Sequence, residues 1–549
     1  MPMRPVLRCS LLSLAFLSAP AAALLPPCNS GYVYDDRDRD GKFGAGDLPL
    51  AGVAVSDGER IVRTDEYGAY TLPVIDGRTV FVIKPAGYRL PKREDGLPDF
   101  WRHVQRDPGP ALKYGGFAHE FPHCRNFALH ENLREPGKLD VLLFGDPQPQ
   151  TARQVEHYDR GIVEAVRRTH FSHSAARQVP PVYGDGAAGH LGLTLGDVVH
   201  DDLSLYPAMN RATTRLGVPW LHLAGNHDLD FDASRDEDSL RSFRAVYGPD
   251  TLAWEEHEAN FVLLDNVVYR PGLSPDFVGG LREEQFAFLE AYLATLPRDR
   301  LLVLAAHIPF FDPSPERETF RRADRERLFA LLKDFPKLLL LSAHGHVQRH
   351  HWHDADDGWR GEQPLHEYNL GAACGSFWSG VADAEGIPDA TMADGTPKGW
   401  AELSVLRDGR YWLRWRSPEA RFDVEGMALH APKLLRRGAY PAFGVYANVF
   451  MGDAQTRVEF RVDEGDWQPM RRVDRADPRL LLENALDDTA DRLRGFDRSP
   501  EAAVSSHLWR GTLPTDLASG EHRIQVRAFD RWRGELSASR TYRLADAAE

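Results

Sequence analysis

Five apolar runs in this 549-residue chain each end in side chains able to hold a metal ion. Leu139–Phe144 leads into Gly145, Asp146, Pro147 and Gln148, and Leu191–Leu195 into Gly196 and Asp197. Trp220–Ala224 leads into Gly225, Asn226, His227 and Asp228, Leu301–Ala306 into His307, and Leu338–Leu341 into His344 and His346. Carboxylates, amides and imidazoles without thiolate form a donor set suited to divalent Mn, Fe, Co or Zn. With a carboxylate to span them, two such ions roughly 3.5–4 Å apart clamp the attacking and leaving oxygens of a displacement at phosphorus. They also lower the pKa of a water held between them, so that hydroxide is available near neutral pH.

Such donors are useful only if the chain brings them together. A short apolar run bounded by turn residues reads as a buried strand. Between runs the period changes: Phe286, Leu289, Leu293 and Leu296 fall on one face of a helix. Strands alternating with helices predict an α/β layered sheet, which places its sites at the carboxyl ends of the strands. Glycine beside several candidates lets the backbone turn sharply close to an ion.

The order GDPQ (145–148), GDVVHDD (196–202), GNHD (225–228), an isolated His307 and HGH (344–346) resembles the calcineurin-like metallophosphoesterase superfamily. The usual pattern there is DxH, GDxxD, GNH(D/E), H and GHxH, and the resemblance covers about residues 138–380. It implies a four-layer αββα sandwich and two divalent transition-metal ions. Asp146, Gln148, Asp197 and His346 would hold the first ion. Asp197, bridging, with Asn226, His307 and His344 would hold the second. His227 would be the catalytic histidine, stabilising the phosphoryl oxygens or protonating the leaving alcohol. Three positions depart from the pattern. Gln148 replaces a His with a weaker neutral ligand. His200 stands where the second Asp of GDxxD is usual, with Asp201 and Asp202 following; Asp201 heads the candidates to orient His227, and the sequence leaves the choice open. Ala343 replaces a Gly without removing a ligand.

Around this centre the chain predicts three domains. Met1–Ala23, with Arg4 and Arg8, an apolar core and Ala21-Ala22-Ala23, reads as a secretory signal peptide, so the protein is expected in the periplasm or the medium. No later run is long enough to span a bilayer. In an oxidising compartment Cys28 and Cys124 are the preferred disulfide pair. A formal charge of −15 argues against an electrostatically driven nucleic-acid binder. The partner expected is a phosphoester substrate, and oligomeric state is left open.

Residues 28–134 show short strands and frequent turns, which predict a small β-sandwich. Asp36, Asp38, Asp40, Gly41, Phe43 and Asp47 reproduce the spacing of a calcium loop, although Asp replaces Glu at its last position. A calcium ion is expected there. The central domain runs over 138–398. From 400 to 546 aromatic-rich alternation predicts a second β-sandwich of immunoglobulin or fibronectin kind, with Asp487–Val504 as a long loop and Trp467, Trp509 and Trp532 as core or ligand platform.

The full layout, together with Gly371–Gly380, Asp394–Pro397 and residues 507–517, resembles bacterial secreted metallophosphoesterases that carry dedicated N- and C-terminal domains. The implied activity is a metal-dependent phosphoric ester hydrolase, in which a metal-bridging hydroxide attacks phosphate monoesters or diesters. The Cys374–Trp378 loop and Asp394–Trp400 are expected to shape the pocket. The alternative is a cell-surface or carbohydrate-binding β-domain protein with a degenerate metal centre, kept open by Gln148 and His200.

Overall fold

In the computed structural model the described residues are 29–73, 75–106, 109–118, 124–169, 189–313, 317–418 and 426–547. The signal segment and Cys28 lie outside them. Cys124 is disulfide-bonded, while Cys374 is a buried free thiol.

Each ligand-bearing run forms a strand. Lys138–Phe144, Leu191–Leu195 and Trp220–Leu223 pair in parallel, with Leu191–Leu195 between the other two. A second sheet pairs Ala259–Leu264, Leu301–Ala305, Leu338–Ser342 and Leu365–Asn369 in parallel, closed by antiparallel edge strands Thr251–Glu255 and Arg349–His353. The apolar sides of both sheets share one core. A single parallel bridge from Gly145 to Ala372 joins the two at the ends that carry the candidate ligands. Helices Ala152–Tyr158 and Tyr206–Thr213 pack together, as do Glu283–Leu293 and Arg322–Leu332. Phe286, Leu289 and Leu293 are buried on the face that their spacing predicts.

Two features differ from the sequence reading. Trp400–Leu406 and Tyr411–Arg416, placed from sequence in the C-terminal domain, form a hairpin that pairs antiparallel with Lys138–Phe144. Their side chains Trp400, Leu403 and Trp415 belong to the central core. Alternation reveals a strand but not which sheet it will join. Pro478–Asp488 is a helix within the stretch read as all β. Asp477 caps it, accepting from the Arg479 amide at 2.7 Å, and Pro478 supplies the favoured first position. Only Leu480 of that helix is buried, so it carries little of the apolar stripe that identifies helices in sequence.

The first 100 described residues form a five-stranded and a four-stranded sheet. Past Met427 another four- and five-stranded pair encloses a separate core containing Trp509. Trp532 instead packs against the central core, and the guanidinium groups of Arg461 and Arg527 both lie over the Trp467 ring.

A buried ion pair fastens the N-terminal sheets to the central domain. Lys84 Nζ donates to Glu256 Oε1 at 2.6 Å and to the Glu255 carbonyl at 2.8 Å, and the Lys84 side chain is 1% exposed. Burial lowers the Lys84 pKa, and Glu256 opposes that. Beside it Arg134 grips Glu258 through two bonds of 2.9 and 2.6 Å. Replacing one member of such a pair strands the other charge in a poorly solvated place. Lys84→Ala should therefore cost on the order of 3 kcal/mol in denaturant melts. A change within experimental error would show that this joint does not hold the domains together.

Candidate metal centre

All seven candidate ligands come together where the strands end. Asp146, Gln148, Asp197, Asn226 and His307 are buried, and His344 and His346 close the site from the second sheet. The backbone is held in the left-handed region at Asp146, Gln148, Asp197, Asp201, His344 and His346. Non-glycine residues adopt that region at a cost, and its concentration in one place marks a site whose surroundings enforce it. Two glycines are needed for close approach. A Cβ on Gly196, at φ +90°, would sit 2.3 Å from His307 Nδ1, and one on Gly225 would sit 2.1 Å from Asp197 Oδ1.

Hydrogen bonds fix which nitrogen faces inward. His307 Nδ1 donates to the Leu195 carbonyl at 2.8 Å, and His346 Nδ1 to the Gly375 carbonyl at 2.8 Å. In each neutral ring this leaves Nε2 with its lone pair turned into the site. His307 Nε2 meets Asn226 Oδ1 at 3.1 Å, His344 Nδ1 at 3.2 Å and Asp197 Oδ1 at 3.4 Å. His346 Nε2 lies 3.7 Å from Asp146 Oδ1, a buried oxygen with no hydrogen-bond partner. Asp146 Oδ2 accepts from the His344 amide at 3.1 Å.

Electrostatics point the same way. Burial, with the Asp197 charge nearby, pushes the Asp146 carboxyl up to about 8. Burial alone would lower His307, but Asp197 outweighs it and lifts the ring to about 9. Burial and His307 push His344 down to about 3. The field that draws a proton to this cluster draws a cation equally. The orphaned oxygen and the converging lone pairs thus fit divalent metal.

Gln148 sits differently from the other candidates. Its Nε2 donates to Asp197 Oδ2 at 3.1 Å, and its Oε1 faces the Cys374 thiol at 3.9 Å. In this orientation the amide steadies the carboxylate that would bridge the ions.

His227 stands at the rim. Its Nδ1 donates to Asp201 Oδ1 at 2.7 Å and its backbone amide to Asp197 Oδ1 at 2.9 Å. The choice left open in sequence falls on Asp201. Asp202 instead accepts from the Ser204 amide and hydroxyl, at 3.2 and 2.6 Å. Burial lowers the His227 pKa, but the bond to Asp201 and the charges of Asp197 and Asp201 together outweigh it and the net shift is upward. The His200 ring stacks on His227, centroids 4.1 Å apart.

Several residues take positioning roles that the sequence reading did not assign to them. Asp228, the last residue of GNHD, is wholly buried and accepts from the amides of Gly225 and Val198 and from the Tyr206 hydroxyl, at 2.9, 3.0 and 2.9 Å. It ties two ligand loops together; its place in the motif was the available signal. Loop 371–380 braces the first ligand loop: Cys374 N donates to the Asp146 carbonyl at 3.1 Å and Trp378 Nε1 to that of Pro147 at 2.9 Å. Asp394, expected near the pocket, is buried in a network. It accepts from Gln348 N at 2.9 Å and His507 Nε2 at 3.1 Å, while Asn448 Nδ2 donates to its carbonyl at 2.9 Å. From the N-terminal region the Tyr114 hydroxyl donates to the Asp201 carbonyl at 2.9 Å. Nothing local in the sequence announces these long-range contacts.

In the N-terminal sheets Asp36, Asp38 and Asp40 each bring a carboxylate oxygen within 4.8 Å of the others, and Asp36 Oδ1 is buried without a hydrogen-bond partner. Asp47 stands apart from them. Its oxygens accept from the amides of Arg37 and Gly44, at 3.0 and 2.8 Å.

Comparison with known proteins agrees with the motifs. Residues 37–114 match the family described as the N terminal of calcineurin-like phosphoesterase, and residues 367–535 match its C terminal. No curated protein matches the chain. Among solved structures, a purple acid phosphatase from yellow lupin (Lupinus luteus) seeds is similar at 11% identity and a TM-score of 0.37, over 67% of each chain. A dimetal phosphatase from Danio rerio is similar at 14% identity and a TM-score of 0.31, over 51% of this chain and 96% of the other. Neither score is high enough to speak for the fold or the activity. The two family matches, on either side of the ligand motifs, do: they support a calcineurin-like phosphoesterase, a metal-dependent phosphoric ester hydrolase.

Proposed function

We propose that the chain is an exported dinuclear phosphoesterase acting on phosphate monoesters or diesters, built as a central catalytic domain between two β-sandwich domains. The observation that carries this reading is the inward convergence of Asp146, Asp197, Asn226, His307, His344 and His346 on one buried point. Asp197 would be the shared ligand. Asp146 and His346 would complete one position, with Gln148 beside them; Asn226, His307 and His344 would complete the other. Two divalent ions held there would activate water and neutralise charge on the phosphoryl oxygens.

The remaining chemistry belongs to side chains. With Nδ1 fixed by Asp201, His227 presents Nε2 to the substrate as a hydrogen-bond and proton donor toward the leaving oxygen. Asp201 acts through His227 as a positioning residue. Phe377, 42% exposed and edge-on to His200, offers an apolar wall for the organic part of the ester. A disulfide at Cys124 supports an oxidising compartment. Among the described residues no helix is long and apolar enough to cross a membrane. Gln148 and His200, which kept a degenerate binding protein in view, both sit in well-formed contacts at the site.

Asp197→Asn should lose most bound metal and all measurable hydrolysis of chromogenic mono- and diesters, because both ions lose their shared charge. Elemental analysis of the metal-replete wild type should find transition metal in this centre; an ordered chain that holds none and hydrolyses neither ester refutes the reading.

His227→Ala should keep its metal while kcat drops by roughly 10²–10⁴, the range of an acid–base group. Loss of metal in step with activity would instead make His227 a ligand.

The Asp36, Asp38 and Asp40 cluster fits a calcium ion, with Asp47 shaping the loop. Calcium at a hundredfold excess over its Kd should stabilise the full chain by about 2.7 kcal/mol. Thermal melts of the wild type and of Asp38→Ala decide the matter: equal shifts in both, or none in either, leave the loop a solvated turn.

A further inference from the structure

The edge strand Arg349–His353 carries His351 and His353 two residues apart, so both rings project from the same face. The turn that follows returns Asp357 to them. Asp357 Oδ2 lies 2.7 Å from His351 Nε2 and 3.2 Å from His353 Nδ1. One ligand atom from each residue falls within 4.8 Å of the other two. Behind His353, Nε2 donates to Glu367 Oε2 at 2.7 Å, and neither side chain is exposed. The other Glu367 oxygen accepts from the Phe310 amide at 3.0 Å and from the Ser342 hydroxyl.

An ionised carboxylate only accepts, so the bond to Glu367 places the His353 proton on Nε2. The Nδ1 lone pair then points into the cluster. That nitrogen is buried and makes no hydrogen bond; the Asp357 oxygen is near it but not in donor–acceptor geometry. Two facing lone pairs in a buried place are unfavourable unless a cation lies between them.

We propose that His351, His353 and Asp357 form a structural site for a divalent transition ion such as Zn²⁺, separate from the phosphoesterase centre, with Glu367 as the outer carboxylate that orients His353. Two imidazoles and a carboxylate suit Zn²⁺ at bonds of roughly 2.0–2.2 Å. Tetrahedral ligand atoms at such bonds stand about 3.3 Å apart, so the observed separations need only small adjustment. A carboxylate hydrogen-bonded to the far nitrogen of a ligand histidine is the usual outer support of a metal site. His351 and Asp357 are 22% and 26% exposed, which leaves an entry path and a fourth position for water. Of the nearby cations, Arg349 is directed over the Phe311 ring, 4.4 Å from its centroid, and Phe311 in turn stacks on His351.

The competing occupant is a proton. Burial lowers the His353 pKa, but Asp357 and Glu367 together raise it above the ordinary value, so an imidazolium between two carboxylates is the alternative state of the same cluster. The ion would brace the catalytic strands through Glu367. Phe310 follows His307 by three residues, and Ser342 precedes His344 by two.

The test uses the full chain carrying Asp197→Asn, stripped of metal and titrated with Co²⁺ and with Zn²⁺. The expected result is one tightly held ion per chain, with the absorption bands of tetrahedral Co²⁺. Adding His351→Ala should abolish that binding, and adding Asp357→Asn should weaken it by about tenfold or more. In the otherwise wild-type chain His351→Ala should remove one ion while phosphoesterase kcat stays close to wild type. Should the Asp197→Asn chain bind no ion, or ions that both added substitutions leave untouched, the cluster is a protonated histidine network and the proposal is overturned.

Discussion

Burying Asp146 and Asp197 at the ends of neighbouring parallel strands is the constraint from which the rest of the centre follows. Uncompensated carboxylates in a poorly solvated site are costly. The chain surrounds them with His307, His344 and His346, and turns backbone amides toward them from His344 and His227. Even so, Asp146 Oδ1 has no hydrogen-bond partner and burial pushes the group up to about 8. The protein on its own leaves the charge unbalanced, and divalent metal is the balance that its donors fit. The left-handed backbone at six positions, and the glycines that permit contact at His307 and Asp197, are local costs accepted to aim donors inward.

That arrangement was legible in the sequence because strand ends and ligand identity are both local signals. Apolar runs of five or six residues announced Lys138–Phe144, Leu191–Leu195 and Leu301–Ala305, and the residue after each turn named the donor. What lay beyond was non-local. The hairpin Trp400–Arg416 shows the same alternation wherever it docks, so its place beside Lys138–Phe144 depends on register with a strand far away in sequence. Asp201 and Asp202 are neighbours with the same side chain. Only the turn that hands Asp202 to Ser204 leaves Asp201 facing His227. The Pro478–Asp488 helix escaped because it buries so little.

The flanking parts matter to the centre through contacts that restrain loops, since among the described residues they contribute no inward-facing ligand. Tyr114 holds the carbonyl of Asp201 from one side. From the other, His507 and Asn448 anchor Asp394, which holds the amide of Gln348, two residues past His346. Loops that carry ligands gain precision when they are tied to packed elements outside the centre. Asp394 and His507 thus belong to the architecture of the site without lining it.

Gln148 shows how far such precision can shift a ligand's task. An amide in place of imidazole gives up a strong donor to the first ion. In return its Nε2 donates to the oxygen of Asp197 that does not face His307, while His227 N and His307 Nε2 approach the other. Each oxygen of the Asp197 carboxylate is therefore directed by a different partner, which fixes the plane of the group. A bridging ligand must serve two ions at once, so an error in its plane weakens both positions. In a centre with two ions, Gln148 would thus trade ligand strength for the orientation of Asp197. Asp146, with one oxygen left unpaired 3.7 Å from His346 Nε2, remains beside it as an anionic donor once a cation is present to offset its burial.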